Sequence, residues 1–113
     1  MRVELPIRTW SEANARVHWA KRARRAGEQR RVARICVRAA LARSLAPPLP
    51  LTVTLTRLAP KRLDTDNLAI SLKAVRDGVA DALGLDDGDE RLVWRYAQER
   101  LRPGHYGIRV EVS

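Results

Sequence analysis

"LTVTLTRLAPKRLDTDNLAISLKAVRDGVADALGLDDGDERLVW", Leu51 to Trp94, decides the fold. It opens with Leu51, Val53 and Leu55 alternating against Thr52, Thr54 and Thr56, the period-two pattern of a strand. After "APK" the period changes. With Leu72 set to zero and 100° per residue, Leu68, Val75, Val79 and Leu83 fall at about −40°, −60°, −20° and +20°. That is one apolar stripe on a helix running from about Asp66 to Leu83. Gly84 is placed to stop this helix, and "RLVWRYAQERL" (Arg91 to Leu101) returns to a strand pattern.

On the N-terminal side, "RVELPI" puts Val3, Leu5 and Ile7 on one side of a half-buried edge strand. From about Val17 to Ser44 one Gly and no Pro interrupt a run of good helix formers, with Ser11 or Asn14 available to cap it. Val32, Ile35, Cys36, Ala39 and Ala42 recur at helical spacing and predict its core face. Its first half, "HWAKRARRAGEQRR", is basic nearly all round, so it frays, bends at Gly27 or orders on a ligand. Pro47, Pro48 and Pro50 end the helix. On the C-terminal side, "YGIRVEV" (Tyr106 to Val112) reads as a last strand, joined through "RPGH" as an expected hairpin. The element order is β-α-β-α-β-β. The expectation is an α+β fold, one small domain over residues 1–113, with a mixed sheet covered by two helices.

Charge divides the chain. Residues 1–63 hold fifteen bases and three acids, and the remainder holds seven bases and ten acids. The first half therefore suits a polyanionic partner, against the plainer reading of a solvated Arg-rich helix. Arg16, Lys21, Arg22, Arg24, Arg25 and Arg62 are the candidate phosphate contacts. Trp10 and Trp19 either stack on bases or pack within the protein. A single Cys36 excludes an intramolecular disulfide and reads as an inert thiol. The opening "MRVELPIRTW" lacks a charged-then-apolar leader pattern, and no apolar run approaches about 20 residues, so a cytoplasmic protein off the membrane is expected. With no Phe and few aromatics the core is thin, which favours a homodimer.

Eight acids fall between Arg62 and Trp94. Asp66, Lys73 and Asp77 share a polar flank of the second helix, at about 120°, 100° and 140°. Asp64 and Asp66 stand two apart before that helix, and Asp86 and Asp87 lie beyond its end. Carboxylates converging there would repel unless a cation sat among them, and an oxygen-only donor set favours Mg²⁺ or Mn²⁺ over zinc. The alternative is an N-cap followed by a polar turn. No EF-hand ladder is present.

"DTDNL" (Asp64 to Leu68), Lys73, "RDGVADAL" (Arg76 to Leu83) and the pair Asp86–Asp87 resemble the RusA family of Holliday junction resolvases, especially its phage-type relatives. The opening "LPIRTWSEANAR" resembles that family more loosely. The resemblance implies a RusA-like fold and a metal-dependent endodeoxyribonuclease that resolves four-way DNA junctions in recombination and repair. By the same resemblance Asp64, Asp66 and Asp87 are the Mg²⁺ ligands, Lys73 assists the phosphate chemistry, and the protein is a homodimer on branched DNA. The family pattern places its Lys four residues after the second Asp, whereas Lys73 follows Asp66 by seven. Both spacings return near the same helical face, with Lys73 about 4.5 Å further along the axis. Two alternatives stand beside this expectation: a basic nucleic-acid-binding module without catalysis, and a nuclease of the same fold for other branched or flapped DNA.

Overall fold

A computed structural model of the chain describes residues 1–10, 18–44 and 47–113. Its elements are β1 (Arg2–Leu5), α1 (Trp19–Arg43), β2 (Leu51–Ala59), α2 (Thr65–Ser71), α3 (Lys73–Leu83), β3 (Leu92–Arg100) and β4 (Gly107–Val112). The strands form one mixed sheet in the order β1-β4-β2-β3. β2 runs parallel to β3 and antiparallel to β4, while β1 pairs antiparallel with β4 and takes an edge as its alternation predicts.

Register puts the buried side chains on one face. Val53, Leu55, Ile108, Val110 and Val112 are all within 2% of complete burial, and they pack with Leu5, Leu68, Leu72, Val75 and Val79 in one core. The other face carries Thr52, Thr54, Arg95, Arg109 and Glu111, as period-two alternation requires. Among the described residues no helix is long and apolar enough to cross a membrane.

Four expectations change. The helix expected over Asp66–Leu83 is two helices, parted at Leu72, whose φ of −99° and ψ of 0° leave the regular α geometry. The Ser71 hydroxyl donates to the Leu68 carbonyl at 2.8 Å, a back-bond that competes with the helix ladder and bends it. Three helices, not two, therefore cover the sheet.

The buried face of α1 is Gln29, Ala33, Val37 and Ala40, one position round from the predicted stripe, and Ile35 is half exposed. Small residues win this face because α3 crosses closely. A Cβ on Gly78 would run into the Arg30 carbonyl and stand 2.8 Å from the Ala33 Cβ.

The "RPGH" segment is a turn, with Gly104 at φ 85°, but it does not close a hairpin. β3 and β4 flank β2 on opposite sides. The central strand supplies two long edges, and each takes a partner. Finally, the side chain of His18 caps α1, its Nδ1 accepting from the Ala20 amide at 3.3 Å; Ser11 and Asn14 lie outside the described residues.

Candidate functional site

The approach to α2 is clamped before it reaches the acids. Gln98, near the end of β3, accepts from the Leu63 amide at 2.9 Å and donates to the Leu63 carbonyl at 2.7 Å. Asp64 then takes the N-cap of α2, with its Oδ1 accepting from the Asn67 amide at 2.9 Å. Asp66 follows, exposed in the first turn. The acid-rich opening of "DTDN" thus has a folding role in Asp64, satisfying an amide that the helix start leaves unpaired.

Lys73 opens α3, and its ammonium bridges two carboxylates, 2.7 Å from Asp77 Oδ1 and 2.8 Å from Asp87 Oδ2. Gly84, left-handed at φ 72°, makes this possible by ending α3 and turning the chain back along it. The Asp77 and Asp87 carboxylates hold the Lys73 ammonium above its ordinary range. In return, the hydrogen bond from Lys73, reinforced by the charges of Lys73 and Arg76, holds Asp87 below the usual carboxylate range against the opposing effect of burial.

Asp87 is fixed from its backbone as well. Trp94 Nε1 donates to its carbonyl at 2.8 Å and Arg76 Nη2 at 3.0 Å, while Arg76 Nη1 donates to the Tyr96 hydroxyl at 2.9 Å. Arg76 Nε is 3.2 Å from Asp87 Oδ2, an ion-pair distance without hydrogen-bond geometry, so this buried N–H lacks a partner. Asp86 accepts from the Gly88 amide at 2.8 Å. Of the two adjacent acids, Asp87 is the one joined to Lys73.

A hard divalent ion fits this donor set in kind, because Asp64, Asp66 and Asp87 offer carboxylate oxygens alone. It does not fit the arrangement. Among the described residues no three His, Cys, Asp or Glu side chains gather closely enough to hold a metal, and Asp87 already faces the Lys73 ammonium.

The basic candidates divide between two places. Arg22 lines a groove between the first half of α1 and the α2–α3 break, together with Trp19, Ile70, Lys73 and Asp77. Lys21 and Arg24 are exposed on the same half of α1, and the guanidinium of Arg25 lies 4.8 Å from the Trp10 ring centre. Arg62 stands apart, on a cleft at the ends of β2 and β3. Arg16 lies outside the described residues.

Sequence reasoning passed over Arg76, Trp94, Tyr96 and Gln98, which build the walls around Asp87 and before Asp64. A signal was present: Trp94, Tyr96 and Gln98 occupy alternate positions of one strand, on the side that faces the helices.

No protein-family model matches this chain, and no solved structure does. A curated relative, an "Uncharacterized protein" from Xylella fastidiosa (strain Temecula1 / ATCC 700964), is 38% identical over 78 residues, covering 66% of this chain and 51% of its own length. The chain therefore spans about half the length of the curated relative it matches.

Proposed function

We propose that this protein is a RusA-like, metal-dependent endodeoxyribonuclease that cuts branched DNA, four-way junctions first, in recombination and repair. The observation that carries the reading is Lys73, paired with Asp87 and lining, at the break between α2 and α3, a groove shared with the basic half of α1. An ammonium at that place can meet phosphoryl oxygens as their charge grows during P–O cleavage. Arg22, Arg24 and Arg25 lie on the helix that would track the backbone, supplying contacts without sequence preference.

Mg²⁺, with Mn²⁺ as its substitute, is the cofactor this reading calls for. Asp64, Asp66 and Asp87 are the carboxylates that would hold it, in an arrangement other than the one in which Asp87 meets Lys73. A homodimer presenting two such sites matches the two-fold symmetry of a junction.

A second reading has its own support. The neutralised Asp87 and the ungathered acids also describe a DNA-binding module without catalysis. Labelled four-way, flap and linear DNA, each with and without Mg²⁺, separate the two. The expected result is Mg²⁺-dependent paired nicking of the four-way junction, abolished in Asp66→Asn while binding persists. Preferential cutting of flaps would move the substrate within the same class, and binding without cutting of any DNA would establish the second reading.

A further inference from the structure

On the helix-facing side of β2, Leu51, Val53 and Leu55 are buried, and the next residue in the alternation is Arg57. It sits in a row that runs from Leu5 of β1 through Ile108 of β4 to Gln98 of β3. An apolar side chain is the ordinary occupant of such a place. Arg57 is only 6% exposed. Its Nε donates to Thr9 Oγ1 at 2.8 Å and its Nη1 to the Lys61 carbonyl at 2.5 Å, and neither acceptor carries charge.

Among the described residues no carboxylate pairs with Arg57. Burial pulls the guanidinium below its ordinary value; Tyr106 opposes that pull, and the charge of Arg8 adds to it by less. A buried cation is costly unless an anion completes it, and Arg cannot shed its proton as Lys can.

A second observation points the same way. A cleft of about 440 Å³, lined in part by Arg57, opens at the C-terminal ends of the parallel strands β2 and β3. Lys61, Arg62 and Arg100 line its rim. The one acid there, Glu99, is already held by Arg109 Nη1 at 2.7 Å. Gln98 clamps Leu63 by both its amide and its carbonyl, so the loop that carries Lys61 and Arg62 is fixed at the residue before Asp64.

We infer that the cleft at the ends of β2 and β3 is a phosphate site, with Arg57 as its fixed floor donor and Lys61, Arg62 and Arg100 as its rim, occupied by a backbone phosphodiester of DNA. A guanidinium fork matches phosphate oxygens in charge and geometry. The choice of DNA over a free phosphate rests on the reading given under Proposed function. On that reading the cleft grips the strand beside Asp64, at the opposite end of α2 from Lys73.

The test uses binding and stability, not cleavage. Replacing chloride by inorganic phosphate at constant ionic strength is expected to raise the thermal midpoint of the parent and to shift the Arg57 Nε–H resonance, and a short oligonucleotide is expected to shift the same resonance. Arg57→Met is expected to keep or raise the midpoint of the free protein and to lose the phosphate response. A merely structural Arg57 predicts a lower midpoint and no phosphate response in the parent, which overturns the site. The exposed triple variant Lys61→Gln, Arg62→Gln, Arg100→Gln carries the test if Arg57→Met does not fold. Its slope of log K against log salt for DNA should fall by about one, the value for one lost phosphate contact. An unchanged slope overturns the site, and a phosphate shift with no oligonucleotide shift overturns DNA as its occupant. If the protein cuts no DNA yet meets these expectations, the nuclease reading fails and the phosphate site stands.

Discussion

The Lys73 ammonium stands 2.8 Å from Asp87 Oδ2, and so joins the first residue of α3 to a turn fourteen positions later. Asp87 is thereby both placed and neutralised. Among the described residues, changing Lys73 to Met leaves Arg76 as the one cation beside that carboxylate. Its titration, followed by carbon NMR of the labelled side chain, is expected to move up toward the ordinary carboxylate range. On the proposed nuclease reading, cleavage of a four-way junction should fall about 100-fold, the usual effect of removing one electrostatic donor. A variant that cuts as fast as the parent would remove Lys73 from the chemistry.

Asp64 has two separable duties, a cap seen in the structure and a proposed metal ligand. Asp64→Ala removes both and should cost about 1 kcal/mol of stability in urea unfolding. Asp64→Ser keeps a capping oxygen without the charge, so it should unfold near the parent midpoint yet cut no DNA. Equal cutting by Asp64→Ser and the parent would restrict Asp64 to its cap.

Gly78 marks where α3 crosses α1. Because an added Cβ meets the Arg30 backbone and not a mobile side-chain tip, Gly78→Ala must push the helices apart. The expected loss is about 1–3 kcal/mol, the range for overpacking a close contact. Chemical denaturation measures it, and an unchanged midpoint would contradict the crossing described.

Arg30 clasps Asp81 across the same helix pair, with Nε 2.7 Å from Oδ2 and Nη2 3.0 Å from Oδ1. The Arg30 hydrogen bond, ahead of its charge, holds Asp81 below the usual carboxylate range. Because the folded value lies below the unfolded one, at about 3.9, the clasp stabilises fully above that pH. Its contribution is lost as pH falls through the folded value. Asp81→Asn should therefore unfold more easily than the parent at neutral pH, with the gap closing in acid. The pair is largely exposed, so salt should narrow the neutral gap too.

Much of the fold is legible in the sequence. The period-two runs from Leu51 and Leu92, the stripe Leu68–Leu72–Val75–Val79 and the stop at Gly84 all stand where the sequence places them. Each depends on neighbours within four residues, and local backbone geometry repeats on that scale. The candidate acids were legible for a similar reason, as a composition break in a basic chain.

What the sequence determined alone was therefore the identity of the elements and the inventory of charge. Tertiary structure decided the rest. β3 and β4 are joined by a six-residue segment, 101–106, yet lie on opposite edges of β2, because each edge of that strand offers a row of backbone N–H and C=O groups to be paired. The inner face of α1 follows Ala33 and Val37, not Ile35, because Gly78 on another helix sets how close the two can come. Asp87 faces Lys73 while Asp86 faces its own turn, a choice made by Trp94 and Arg76 from two other elements. Arg57 lies in an apolar row because the strand alternation must continue, and the cleft beside it exists only where two chain segments 41 residues apart, at Arg57 and Gln98, meet in register.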